Sequence, residues 1–501
     1  MSLEICVVPF WGQGHIFPCV ELCNHLTSRD IAITLIIPST LVDSLPSSLR
    51  QHPLLRITHF PSSPTPSPPP PPHDHLVPEL QTLFSDNPTR TACAVVDVMM
   101  NWSAPVFAEL GIPTVAFFTS GACSAAMELA AWKAQPLDLK PGETRLITGL
   151  PRDMAITHSD LKQRPHHPPP PPHAGRGPPH HGPPPPKLGG DQHFPPGREP
   201  PHHGGGGSEF HHHPPPKFGG PPPWVEEVGG AVAVIFNTCE ELEHPFINLI
   251  ADHIKKPVWG IGPLLPEQYW KSTGSLLHDR DVRSNRESSV TEEQVTHWLD
   301  SKPRGSVLYI SFGTEVGPTA EEYQELAQAL ESIEEPFIWA LQPGSGRPGP
   351  PHMGGESEEG FFPDGLEGRV GNRGIIIRGW APQLLILSHP STGGFLSHCG
   401  WNSTVEGVGR GVPFLAWPIR GDQYHDAKLV VSHLKVGYMV SGDMSVKVTK
   451  GHIVEGIKRL MADKEVKRNA EILRDNFQHG FPTSSIKALD CFKDYIKHRA
   501  L

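Results

Sequence analysis

The residues best suited to chemistry crowd into Trp380–Gln423, WAPQLLILSHPSTGGFLSHCGWNSTVEGVGRGVPFLAWPIRGDQ. Apolar runs fit for buried strands and helices alternate there with polar and aromatic residues at the turns: Trp380, Gln383, His398, Trp401, Asn402, Ser403, Glu406, Asp422 and Gln423. Polar groups gathered at turns between buried elements are what a ligand site on an open α/β sheet requires. At the centre, Phe395 and Leu396 end a run suited to a short buried strand. Ser397 to Trp401, with Gly400 inside it, reads as a small-residue turn, and Asn402 or Ser403 then begins a helix. Strand, turn and helix start make an anion site, because free backbone N–H groups point outward at the helix's positive end. His398 on that turn can add a donor to a phosphate or can serve structure alone. Ser403 and Glu406 also spell S-x-x-E, a capping box that would merely start the helix.

As a whole, the stretch resembles, nearly residue for residue, the signature box of plant secondary-product glycosyltransferases, which move sugar from UDP-sugars to small molecules. It opens with WAPQ, carries HCGWNS and a glutamate, closes in DQ, and spans the family's 44 residues. The resemblance implies roles. Trp380 stacks on uracil, since an indole face suits a flat base. Gln383, or backbone near Ala381, bonds the uracil edge, and Glu406 accepts from the ribose hydroxyls. His398, Asn402 and Ser403 hold the diphosphate, with Gly400 and Trp401 also counted as donor-binding. Asp422 and Gln423 hold sugar hydroxyls, and the terminal Gln points to glucose. The Trp401 and Trp417 side chains can equally be core, and Trp417 is read as core.

His15 lies after the first apolar run, in GQGH, at the carboxyl end of a strand, where open α/β sheets put their ligands. The family has a catalytic His in this setting, partnered by an Asp at the end of a later strand; here that is Asp97 in CAVVD. Asp97 would fix the tautomer and stabilise the imidazolium, while the other ring nitrogen takes the acceptor's proton. One displacement at the anomeric carbon then turns an α-linked donor into a β-glucoside. Charge on the leaving UDP would meet the helix start near Ser403, His398, and the glycine turn after Val307–Ile310 that holds Gly313 and Thr314. Fixed dipoles aimed at developing charge can replace a metal ion, so no metal cofactor is expected. Thr119 either touches the sugar, like its family counterpart, or caps a helix. Met99, Met100, Phe118 and Trp132 are candidates for an apolar acceptor wall.

These residues need two parallel sheets to position them. Leu3–Phe10, a helix from Phe17 and a strand Ile31–Ile37 form a βαβ opening. The dinucleotide fingerprint fails there: the third glycine would fall at Phe17, and no acid ends the second strand. Strand and helix patterns alternate through both halves, giving an α/β chain of two doubly wound Rossmann-like domains facing across a cleft, the GT-B fold in the resembled family. Residues 1–263 form the acceptor domain, 264–290 a linker, 291–484 the UDP-sugar domain, and 485–501 a helix returning to the first domain. The stretch 163–223 holds 22 Pro and 11 His with few aliphatic residues. Such composition cannot offset its ordering entropy, so it reads as a disordered insertion; metal binding at His211–His213 or docking of a polyproline-binding partner are its alternatives.

The 501 residues carry 53 acids against 42 bases, which argues against nucleic acid. No apolar run reaches a membrane-spanning length. Eight cysteines without metal-binding spacing, and an amino terminus without a charged leader, lead to the expectation of reduced thiols in a cytoplasmic monomer. The function expected is transfer of glucose from UDP-glucose, as co-substrate, to a flavonoid, phenolic or terpenoid. A sugar-nucleotide epimerase or hydrolase, and a non-catalytic Pro-rich scaffold, are the alternatives.

Overall fold

The computed structural model describes residues 3–60, 76–85, 91–161, 220–272, 275–278, 288–342, 345–346 and 360–500. Most of the expected insertion at 163–223, with His211–His213, lies outside these residues. What is described resumes at Gly220 and enters a helix, Pro223–Glu227, whose Trp224 is buried.

The first sheet comprises β1 (Glu4–Val8), β2 (Ala32–Pro38), β3 (Leu55–Phe60), β4 (Thr91–Asp97) and β5 (Thr114–Phe118). A small antiparallel pair, β6 (Thr144–Arg145) and β7 (Ile156–Thr157), stands apart. β8 (Ala233–Phe236) and β9 (Val258–Gly260) then complete the seven-stranded order β3-β2-β1-β4-β5-β8-β9. All its pairings are parallel. Successive side chains take opposite faces. Ile5 and Val7 pack with Leu22, Leu26, Leu489 and Phe492, while Cys6 and Val8 pack with Val96, Met100 and Phe107. Burial on both faces explains the nearly unbroken apolar strands.

The second sheet comprises β10 (Val307–Ser311), β11 (Phe337–Leu341), β12 (Gly374–Arg378), β13 (Thr392–Ser397), β14 (Phe414–Ala416) and β15 (Gly437–Met439), again wholly parallel, in the order β12-β11-β10-β13-β14-β15. In each sheet the chain starts in the middle, winds outward, and returns to the other side of its first strand. The strand order therefore reverses between β1 and β4 and again between β10 and β13. The crevices beyond those strand ends are where ligands bind in such sheets.

Several expected boundaries move. The first helix is Gln13–Thr27, so His15 sits in its opening turn rather than in a loop. β3 was not expected; Arg56 and His59 interrupt its apolar pattern at the sheet's edge. The stretch expected to be linker holds a packed helix, Glu267–Lys271, with Tyr269 donating to the Glu406 carbonyl at 2.8 Å. The last helix, Thr483–Ala500, lies on the first domain: Arg29 pairs with Asp490 at 2.8 Å, and Tyr495 donates to the Val232 carbonyl at 3.0 Å. One apolar cluster is continuous through both domains, from Phe118 and Phe236 to Trp401 and Phe395.

Candidate active site

The first half of the site forms at the β1/β4 crevice. Gly12 ends the turn after β1, and its carbonyl accepts the His15 N–H at 3.0 Å, which starts the helix. His15 Nδ1 lies 2.8 Å from Asp97 Oδ2 at the end of β4. Asp97 is 1% exposed and is held from behind, accepting the Met99 N–H at 3.0 Å on Oδ1 and the Phe10 N–H at 3.3 Å on Oδ2. Thr119 Oγ1, just past β5, also stands 2.8 Å from His15 Nδ1. Thr119 therefore does not cap the helix it precedes, which begins at Cys123 without a side-chain cap. Burial alone would depress the imidazole. The Asp97 charge and hydrogen bond, backed by Glu315 and Asp422, outweigh it and raise the pKa above the ordinary 6.5. With Nδ1 engaged, Nε2 is the atom free to take a proton.

The second half forms at the β10/β13 crevice. The turn Ser397–Gly400 leads into helix Trp401–Arg410, whose N-cap is Gly400 with no side-chain cap. The capping-box reading of Ser403 and Glu406 is thus corrected, because the helix starts two residues earlier and both side chains turn elsewhere. Gln383 Nε2 donates to Ser403 Oγ at 3.1 Å and to Glu406 Oε2 at 2.7 Å, and its Oε1 accepts from Tyr309 at 3.1 Å. With its amide so occupied, the Gln383 side chain braces Glu406, and its N–H donates to the Ala381 carbonyl at 2.8 Å. Trp380 is half-buried beside it. His398 is packed between two glycines: a Cβ on Gly313 would stand 2.7 Å from its Nε2, and one on Gly400 2.5 Å away. Its Nδ1 is buried without a partner among the described residues. Burial, helped by Arg420 and opposed by a backbone bond at Ser311, pushes it down to about 4, so it is neutral. Thr314 is half-buried next to Gly313.

Farther along, Asp422 is raised above 3.8 by burial, with His15 and Arg420 holding it back. Gln423 turns into its own loop, its Oε1 accepting from the Ile419 N–H at 2.9 Å and the Arg420 N–H at 3.1 Å. Arg420 pairs with Glu315 at 2.9 Å. The two halves are joined directly. Asn402 Nδ2 donates to the Gly14 carbonyl at 3.0 Å, and Trp401 Nε1 donates to the Asn237 carbonyl at 2.6 Å. The Trp401 indole is thus buried against the first domain, at 4% exposure, while its backbone N–H stands at the helix start.

Of the acceptor-wall candidates, Met100 and Phe118 are core, at 1% and 6% exposure, whereas Met99 is 41% exposed. Sequence reasoning missed Asn237 and Glu243. Glu243, fully buried, accepts the Ala122 and Cys123 N–H groups at 2.7 and 2.8 Å, and burial raises it to about 7. The signal was available in NTCEELE, where a helix start follows a buried strand. Among the described residues, no group of three or more His, Cys, Asp or Glu side chains could hold a metal ion, and no helix is long and apolar enough to cross a membrane.

The arrangement can hold a proton acceptor on one side of a cleft and an anion on the other. Residues 278–490 match the family model described as UDP-glucoronosyl and UDP-glucosyl transferase. UDP-glucosyl transferase 73M2 of Saponaria officinalis is 38% identical over 246 residues, covering 46% of this chain and 46% of that protein. Scopoletin glucosyltransferase of Nicotiana tabacum is 36% identical over 241 residues, again 46% of each. The chain thus spans about half the length of these curated relatives. The solved structure of Medicago truncatula UGT71G1 complexed with UDP-glucose superposes with a TM-score of 0.69 at 22% identity, covering 99% of this chain and 98% of that one, which shows the GT-B fold.

Proposed function

Because the second half of this chain belongs to the UDP-glucoronosyl and UDP-glucosyl transferase family, we propose that the whole protein is an inverting glycosyltransferase. It moves glucose from UDP-glucose to a small lipophilic acceptor, a flavonoid, phenolic or terpenoid, giving a β-glucoside. The observation that carries the proposal is the His15–Asp97 pair, 2.8 Å apart, bound through Gly14 to the first turn of helix Trp401–Arg410.

In this reading Nε2 of His15 takes the acceptor hydroxyl's proton while Asp97 stabilises the imidazolium. The acceptor oxygen attacks the anomeric carbon from the face opposite the leaving UDP. The free N–H groups at Gly400–Ser403 and neutral His398 meet the diphosphate charge as it develops. Trp380 stacks on uracil, Ala381 offers backbone to its edge, Glu406 takes the ribose, and Asp422 with Gln423 take sugar hydroxyls. Glucose as donor fits the names of the relatives above, and a phenolic acceptor fits the scopoletin enzyme. All eight cysteines are free, which suits a reducing compartment, and we place the protein in the cytoplasm as a monomer.

The test is incubation with UDP-glucose and an acceptor panel, with EDTA present, followed by mass spectrometry and NMR of the product. A hexose adduct with a β linkage and an EDTA-insensitive rate is expected. UDP release without an acceptor would mean hydrolysis, and no turnover would mean a scaffold.

A further inference from the structure

Trp401 and Asn402 are consecutive residues at the first turn of one helix, and each donates across the cleft to a different loop beside His15. Asn402 reaches the carbonyl of Gly14, the residue before His15, at 3.0 Å. Trp401 reaches the carbonyl of Asn237 at 2.6 Å. Asn237 in turn holds the other side of the base. Its Nδ2 donates to the Thr119 carbonyl at 2.9 Å, its N–H lies 2.9 and 3.2 Å from the Phe118 and Ser120 carbonyls, and Thr119 Oγ1 stands 2.8 Å from His15 Nδ1. Asn237 is 1% exposed, and its Oδ1 accepts the Leu264 N–H at 2.6 Å, so both ends of its amide are committed. The indole is wedged against Gly121, where a Cβ would come within 2.6 Å of the ring.

We infer that Trp401 and Asn237 are positioning residues for His15. The relay Trp401–Asn237–Thr119 ties the placement of the imidazole to the docking of the helix start that faces the diphosphate. A seated second domain and a correctly aimed base are then one event. The inference deepens the transferase reading and rests on it.

The test is a double-mutant cycle of Trp401→Phe and Thr119→Val in the full chain. It is read by NMR titration of His15, by kcat and KM for UDP-glucose, and by calorimetry with UDP. Trp401→Phe keeps a ring against Gly121 and deletes the N–H; Thr119→Val keeps the shape and deletes the hydroxyl. An oxygen accepting from Nδ1–H favours the imidazolium, so His15 titrates at lower pH in each single variant. The double variant titrates no lower than the lower single one, because both changes act on one path. In Trp401→Phe, kcat falls about tenfold while KM for UDP-glucose and affinity for UDP hold. An unmoved His15 titration in Trp401→Phe, additive shifts, or UDP affinity falling in step with kcat would overturn the inference. Should Trp401→Phe fail to fold, Asn237→Ser is read the same way, with the same downward shift expected and an unmoved titration overturning it. The titration needs no turnover, so a wild-type protein that transfers no sugar sinks the transferase reading without deciding the relay.

Discussion

Asn402 Nδ2 stands 3.0 Å from the carbonyl of Gly14 and donates to it, linking the second domain's helix start to the residue that precedes His15. The separation between the base and the anion-facing turn is therefore set by a hydrogen bond and not left to the linker.

Asp97 should govern the pH dependence. It raises His15 above 6.5 against the opposing pull of burial. A raised imidazole pKa means the proton persists to higher pH, so the base form is lost as pH falls through that value. kcat/KM should fall tenfold per pH unit on the acid side of a midpoint above 6.5. Asp97→Asn should move that midpoint down and cut the plateau by about 10³. An unmoved midpoint would separate Asp97 from the base.

Two glycines should prove intolerant of a methyl group. Gly313 has φ +74° and Gly400 does not, yet a Cβ on either runs into His398 Nε2. Gly313→Ala, through backbone strain and a displaced imidazole, and Gly400→Ala, through the displaced imidazole alone, should each cost about 1–2 kcal/mol, which is about a tenfold loss of UDP affinity by calorimetry. Full affinity in both variants would show that His398 is not needed where it stands.

Gln383 should matter for stability as well as binding. It donates to Glu406 at 2.7 Å and to Ser403 at 3.1 Å. Gln383→Leu removes both donations from a buried network. Denaturant titration should show a loss of about 2 kcal/mol, together with weaker UDP binding.

Asp426 should respond to pH through folding. It is fully buried, and neither carboxylate oxygen has a partner among the described residues. Burial, with the charges of Asp422 and Glu243, raises its pKa well above 3.8. The folded chain then binds this proton more tightly than the unfolded chain. The stability it contributes is full below 3.8 and is lost as pH rises through the folded value. Asp426→Asn should melt higher than wild type at about pH 8, with the gap closing toward about pH 5. A gap independent of pH would contradict this.

Much of this was legible in the sequence, for identifiable reasons. Parallel sheets buried on both faces leave continuous apolar runs, so β1, β4, β5 and β10 could be read directly. Glycine turns after β1 and β10 marked His15 and Gly313, while Asp97 at the end of β4 was marked only by the family resemblance. What escaped was set by tertiary contact. Trp401 has the same sequence neighbours whether its indole faces a nucleotide or crosses to Asn237. Thr119 looks like a cap until the fold brings His15 beside it. Ser403 and Glu406 keep capping-box spacing, but a helix that starts at Trp401 gives them to Gln383. β3 was lost because a charged edge strand carries little apolar signal.

The central claim, that His15 is the base of a transfer from UDP-glucose, is tested most directly by comparing wild type with His15→Ala for acceptor-dependent UDP release and for UDP binding. The account predicts that His15→Ala binds UDP as tightly as wild type and releases none from UDP-glucose in the presence of acceptor. Turnover retained in His15→Ala would contradict it.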